Sequence, residues 1–163
     1  MTASHDKSLE TGIDVAEALR RDAITREVCR GVGRLLRALN SASVRELMLP
    51  NGRRADVVGL SAAGDIWIVE VKSGLEDFRV DHKWPEYRDF SDALYFAVAP
   101  DFPVDILPGD TGLILADRFG AEIVRPAPEH RLAPARRKVM TLRFARAAAL
   151  SLQALGDPGL ENS

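Results

Sequence analysis

Three consecutive segments, SVRELML (43–49), RRADVVGL (53–60) and DIWIVEVK (65–72), follow a period of two and are joined by the turn signals LPNGR and SAAGD. Such alternation marks half-buried strands, and short Gly-bearing loops between them read as hairpins, so the chain is bound to carry a three-stranded antiparallel meander. The meander also holds charges inside strands that otherwise look apolar. Alternation sends Ile66, Ile68, Glu70 and Lys72 to one face and Trp67, Val69 and Val71 to the other, with Glu70 and Lys72 about 7 Å apart along the strand.

Turn chemistry sets what lies opposite. A SAAGD turn centred on Ala63 pairs Leu60 with Ile66 and hence Asp56 with Glu70. Directly opposed residues have Cβ atoms about 4.5–5.5 Å apart, close enough for two carboxylates to share one divalent cation. In LPNGR, Pro50 suits the first corner and Gly52 the left-handed position of a three-residue loop. That register places Glu46 opposite Asp56 as a candidate third carboxylate, whereas a two-residue Asn-Gly loop would turn Glu46 to the other face. The chemistry served by this arrangement is metal-assisted phosphodiester hydrolysis. Hard oxygens hold Mg²⁺ or Mn²⁺, the metal lowers the pKa of a bound water, and Lys72 orients that water and stabilises the transition state. The competing reading is a buried ion cluster or an exposed sheet face, on which Glu70 and Lys72 form a pair worth about 0–1 kcal/mol.

The rest of the chain frames the meander. Apolar residues Ile24, Val28, Val32, Leu35, Leu36 and Leu39 recur at helical spacing over 13–39, with Thr11 as the expected cap and Asn40 and Ser41 as the stop. After the meander, Ser73 and Glu76 stand at capping-box spacing and Pro85 suits a helix start, so two short helices are expected. ALYFAVA and TGLILAD read as buried strands, AEIVRP as an antiparallel return across the RFG turn, and Ala135–Leu155 as a final helix ended by Gly156 and Pro158. Elements in this order predict an α/β fold with a central mixed sheet flanked by helices. At 163 residues the chain suits one domain, expected over 13–156, with an N-terminal arm (1–12) and a short C-terminal tail (157–163). No apolar run is long enough to span a membrane, no secretory signal is visible and Cys29 is the single cysteine, so a reducing cytoplasm is expected.

The net charge of -2 hides an uneven distribution. Residues 20–54 hold nine Arg against three acids, residues 76–122 four bases against eleven acids, and residues 125–146 seven bases against one acid. The basic blocks nominate Arg30, Arg34, Arg53, Arg136, Arg137 and Lys138 as phosphate contacts, with solvated surface as the alternative.

Asp56, Glu70, Val71 and Lys72, in strand-turn-strand context after a long helix, resemble the PD-(D/E)XK nuclease superfamily of restriction endonucleases, repair nucleases and junction resolvases. A longer likeness runs through RGVGRLLRAL, LPNGRRADVV, IVEVKSGLEDFRVDHKWPEY, YFAVAPDFP, GLILAD and RFARAAAL, and resembles the MmcB-type bacterial DNA repair family over about residues 24–150. The resemblance implies a restriction-endonuclease-like fold. It also implies that Asp56 and Glu70 ligate Mg²⁺ or Mn²⁺, that Val71 offers its backbone carbonyl and that Lys72 acts on the water. Ala55 stands where the superfamily name has a proline. Some members add a Glu from the first helix, here Glu27. Others carry a Gln-x-x-x-Tyr pair after the lysine, and Lys83 and Tyr87 hold that spacing without the Gln. The expected function is DNA repair by a metal-dependent endonuclease; the alternative is a non-catalytic DNA-binding or structure-recognising repair factor, and a third reading is an RNA-directed nuclease. DNA is the expected partner. A homodimer would suit cutting of both strands, although no segment marks a dimer surface.

Other motifs carry less. The three histidines lack metal-ligand spacing, although His82 beside Lys83 stands near the expected substrate path. Gly31 and Gly33 of RGVGRLL sit inside a helix, where close packing explains them better than dinucleotide binding. Trp67 alternates into the core, and Trp84 either packs the loop after the third strand or stacks on a base.

Overall fold

The computed structural model describes the backbone of residues 4–159 and the side chains of residues 14–159. Eleven elements follow in order. They are α1 (Ser4–Ala38), β1 (Ser41–Met48), β2 (Arg54–Ser61), β3 (Ile66–Lys72), α2 (Leu75–Arg79), a 3₁₀ segment (Trp84–Phe90), β4 (Ala93–Val98), a 3₁₀ turn (Val104–Ile106), β5 (Gly112–Ala116), β6 (Ala121–Arg125) and α3 (Pro134–Gly156). The six strands form one sheet in sequence order. The meander β1-β2-β3 is antiparallel, β3-β4 and β4-β5 are parallel, and β6 returns antiparallel to β5. The expected mixed sheet flanked by helices is therefore the observed one.

The two faces are buried by different helices. Val28, Val32 and Leu36 of α1 pack on Val57, Val69, Val71, Tyr95 and Ile114, while Met140 and Phe144 of α3 pack on Val58, Ile66, Ile68 and Leu94. Alternation along β3 is thus realised: Trp67, Val69 and Val71 face α1, Ile66 and Ile68 face α3. Trp67 stacks at 4.9 Å from Tyr95, and Trp84 packs edge-on against Phe96 at 5.5 Å, so both tryptophans serve packing.

Both hairpin turns take the three-residue form. The Leu49 N–H donates to the Arg53 carbonyl at 2.7 Å around Gly52, whose φ of 82° needs a residue without Cβ strain. The Ser61 N–H donates to the Asp65 carbonyl at 2.9 Å, closing the second turn in the expected register. Two details differ from expectation. The helix begins at Ser4, before Thr11, because nothing in the preceding segment breaks a helix; Thr11 is inside α1 and does not cap it, and of the expected arm only residues 1–3 lie outside the described residues. Residues 160–163 of the expected tail also lie outside them. At α2 the N-cap is Gly74, and the residue that closes back on Ser73 is Asp77 rather than Glu76, accepting the Ser73 N–H at 3.1 Å. The stop of α1 is as read: Asn40 takes the left-handed φ of 57°. Among the described residues no helix is long and apolar enough to cross a membrane.

One buried ion pair ties three elements together. Asp92, just before β4, accepts the Ile66 N–H at 2.7 Å, the Leu132 N–H at 2.9 Å and two bonds from Arg137 of α3 at 2.6 and 2.9 Å. Burial alone would raise its pKa, but the Arg137 guanidinium and the two backbone donors outweigh that and hold it low. The pair sits at the β3 N-terminus, so it fixes where the strand carrying Glu70 and Lys72 begins. Asp92→Ala leaves two buried N–H groups unpaired and Arg137 with only the Gly64 carbonyl, and is expected to cost about 3–5 kcal/mol. A thermal melt followed by circular dichroism should then show a midpoint lower by roughly 6–20 °C; an unchanged midpoint would refute the role.

Candidate active site

β2 and β3 pair through Val57 and Val69, and the ladder stops there. One residue further on, side chains take over the main-chain bonds. The Asp56 N–H donates to Glu70 Oε1 at 3.2 Å, and the Val71 N–H donates to Asp56 Oδ2 at 2.8 Å. The two carboxylates are therefore interlocked across the parted ends of the strands, as turn symmetry predicts. A strand residue's N–H and C=O leave on the same edge, so the Val71 carbonyl faces this same gap.

Glu46 does not join them. It sits in the left-handed region at φ 53°, drops out of the β1-β2 register and lies exposed, 3.9 Å from Arg54. The turn was read correctly, but a backbone kink inside β1 breaks the alternation on which the third carboxylate depended. Without a ladder partner at Glu46, the Asp56 N–H finds the Glu70 carboxylate instead.

The interlocked pair opens into a cleft of about 780 Å³. Glu70 is 4% exposed, and burial, followed by the charge of Asp56, pushes its pKa up to about 8. Asp56 is raised too, by burial, with the Val71 N–H and Lys72 acting in the opposite sense. Two carboxyls that both resist ionisation ask for a proton or a cation between them. Lys72 is 5% exposed and directs its ammonium to Asp81 Oδ2 at 2.6 Å, with Asp77 Oδ1 at 4.0 Å. Burial would raise Asp81, but the Lys72 bond and the Lys83 and Trp84 N–H groups hold it low.

Tyr87, from the 3₁₀ segment, is buried at the cleft wall with its hydroxyl on the Arg54 carbonyl at 3.3 Å. Its pKa is raised by burial and then by the Glu70 and Asp56 charges. Lys83, four residues earlier, is exposed outside the cleft; its backbone N–H is held by Asp81 at 3.0 Å. Glu27 is likewise exposed and absent from the cleft wall, where α1 contributes Arg21, Asp22 and Thr25. Helical arithmetic could have found two of these. Thr25 and Arg21 lie three and seven residues before buried Val28, on its face, whereas Glu27 is turned about 100° away. Asp77 and Asp81 had a weaker signal: a buried Lys72 needs a counter-charge, and LEDFRVD supplies the nearest acids.

The predicted phosphate contacts divide by partnership. Arg137 is committed to Asp92 and Gly64, Arg53 to Glu86 at 3.0 Å and Arg136 to Asp89 at 3.5 Å, which withdraws these three from the free basic surface. Arg30, Arg34 and Lys138 remain exposed.

No curated protein matches the chain. A solved structure, the SPO1766 protein of unknown function from Silicibacter pomeroyi, is similar at TM-score 0.81 and 48% identity, covering 83% of this chain and 92% of that one. A family model described as DNA repair protein MmcB-like matches residues 14–159, a span that takes in α1 from Asp14, the whole sheet, every cleft residue named above and α3. By that match the chain belongs to the MmcB-like family of DNA repair proteins.

Proposed function

We propose that the protein is a metal-dependent DNA endonuclease of PD-(D/E)XK type that hydrolyses phosphodiester bonds during repair. One observation carries this reading: Asp56 and Glu70, interlocked at the parted ends of β2 and β3, both resist ionisation, with Lys72 next on the Glu70 face. Membership of a DNA repair family supports the substrate class.

The residues fit a small hard cation. Among the described residues no three His, Cys, Asp or Glu side chains converge, so the protein offers two carboxylates and the Val71 carbonyl. Mg²⁺ suits such a set, since it retains several waters and takes only one or two carboxylates. Bound there, Mg²⁺ or Mn²⁺ would supply charge neutralisation on the phosphate and a water of lowered pKa. Asp56 and Glu70 would hold it, the cation taking the place of the proton that burial favours on Glu70. Lys72, locked by Asp81 and excluded from bulk water, keeps a fixed positive charge beside the carboxylates, where negative charge develops on a scissile phosphate. Arg21 and Arg54 line the same cleft, each beside a carboxylate outside it, Glu17 at 2.7 Å and Glu46 at 3.9 Å, so the free positive charge for an entering phosphate has to come from the bound cation.

The rival reading, a non-catalytic repair factor that binds DNA, draws on the Lys72–Asp81 pair, because that bond occupies the ammonium the chemistry would use. Purified protein with branched, nicked, single-stranded and duplex DNA separates the two. Cleavage in Mg²⁺ or Mn²⁺ should fall by roughly a hundredfold or more in Lys72→Ala and Asp56→Asn. Equal cleavage by the variants would trace it to a contaminant, and binding without cleavage by any form would favour the rival.

Metal and pH act on stability with a definite sign. Glu70 holds its proton more tightly folded than unfolded, so its contribution is fully present below about pH 4.5 and is lost as pH rises towards 8. The metal-free protein should therefore melt lower at pH 8 than at pH 5, and Glu70→Gln should raise the melting point above pH 8. Saturating Mg²⁺, at about a hundred times its dissociation constant, should stabilise wild type by about 2.7 kcal/mol and leave Glu70→Gln unmoved. A magnesium response retained in the variant would remove Glu70 from the metal site.

A further inference from the structure

The β5-β6 hairpin turns through Asp117, Arg118, Phe119 and Gly120, and the Phe119 side chain is 68% exposed at its tip. The turn is fixed from two directions. Within it, Asp117 Oδ1 accepts the Phe119 and Gly120 N–H groups at 2.7 and 3.1 Å, and the Asp117 N–H donates to the Gly120 carbonyl at 3.0 Å. From α1, Arg34 donates to the Phe119 carbonyl at 2.8 Å. At Gly31 the helix approaches so closely that a Cβ would collide with the Asp117 and Gly120 carbonyl oxygens, which accounts for the first glycine of RGVGRLL. The ring is thus held out by a turn braced on α1, at a cost in exposed apolar surface that packing does not return.

Its surroundings are basic. The Arg118 guanidinium lies 4.6 Å from the ring centroid. Arg30, Arg34 and Arg37 stand three and four residues apart on the outer side of α1, and line a concavity with Ser41 and Ser43. Among the described residues none of these four arginines makes an ion pair, in contrast to Arg53, Arg136 and Arg137. Asp117, the carboxylate of the turn, is spent on backbone donors.

We infer that Arg30, Arg34, Arg37, Arg118 and Phe119 form a binding surface for DNA with unpaired bases, a reading that rests on the DNA-directed function proposed above and adds which DNA structure is held. The guanidinium groups take the phosphates, and Phe119 stacks on a base. An intact duplex hides its base faces, so a rigid ring among arginines suits a single strand, a gap or a displaced base. The surface lies at the working end of the sheet, on the face covered by α1: β5 runs parallel to β3, so this turn leaves the sheet at the same end as Lys72.

Fluorescence anisotropy of the full chain with a labelled single strand, its duplex and an RNA of the same sequence tests this. Wild type should bind the single-stranded DNA most tightly. Phe119→Ala should lose roughly tenfold on the single strand and less than about twofold on the duplex, whereas Phe119→Trp keeps its affinity. Arg30→Ala and Arg118→Ala should weaken both DNAs and flatten the salt dependence. Because the ring is exposed, the melting point of Phe119→Ala should match wild type. Unchanged single-strand affinity in Phe119→Ala overturns the surface while leaving the nuclease reading intact. Loss of that affinity in a protein that never cleaves DNA sinks the nuclease reading and keeps the surface. Tighter binding to RNA overturns the DNA assignment. Loss of self-association in sedimentation, with DNA affinity unchanged, gives the ring to a second copy instead.

Discussion

Two like charges held in a gap between strands are the constraint on which this end of the molecule depends. Had Asp56 and Glu70 been apolar, β2 and β3 could have continued their ladder past Val57 and Val69. Instead the side chains bond the Asp56 and Val71 N–H groups and leave two buried carboxyls that cannot both ionise cheaply. The surroundings respond to that charge. Tyr87 seals one wall through the Arg54 carbonyl, and Lys72 is pulled by Asp81 into a position beside the pair. The opposite end of β3 shows the contrast. There Asp92 meets a guanidinium and two N–H groups, and its charge is satisfied within the fold. One end of the strand is closed by an ion pair; at the other, two buried carboxyls resist ionisation.

Much of this was legible because period-two alternation and turn chemistry are local. Gly52 and Gly64 fix three-residue turns, the turns fix the register, and the register puts Asp56 across from Glu70. The α1 core stripe and the stop at Asn40 follow from equally local rules. What failed did so where one residue's backbone state or a non-periodic path decides. Glu46 takes a left-handed conformation that no pattern in SVRELML announces. Asp77 and Asp81 come from a five-residue helix and the stretch after it, whose course depends on where Lys72 needs its partners. Glu27 rests on likeness alone, and the helix phase set by Val28, Val32 and Leu36 points Arg21 and Thr25 at the cleft instead.

Charge counting along the chain was the least reliable guide, since it cannot see partners. The C-terminal block is strongly basic, yet Arg137 serves the fold and Arg136 leans on Asp89. Arg53, from the first block, is held by two bonds to Glu86. To take a phosphate, a guanidinium paired in this way must leave its carboxylate, a small cost for half-buried Arg53 and exposed Arg136 and a larger one for Arg137 on the buried Asp92. The outer side of α1 is different: Arg30 and Arg37 are exposed and make no ion pair among the described residues, and Arg34 is bonded only to the Phe119 carbonyl, so a polyanion there would displace mainly counterions.

That sorting separates holding from chemistry. The cleft is lined by six acids, Asp22, Asp56, Glu70, Glu76, Asp77 and Asp81, against Arg21, Arg54 and Lys72. Without a cation such a surface repels a phosphate, so on the proposed DNA-directed reading the cleft is not the source of affinity for DNA. Affinity must come from elsewhere on the domain, and α1 is the element that can connect the two, since its Arg21, Asp22 and Thr25 line the cleft and its Arg30 and Arg34 lie two to three turns further along the same helix. If the proposed nuclease reading holds, a strand bound on that outer side would reach the carboxylates only where a metal reverses their sign, so hydrolysis would need the loaded site while binding would not.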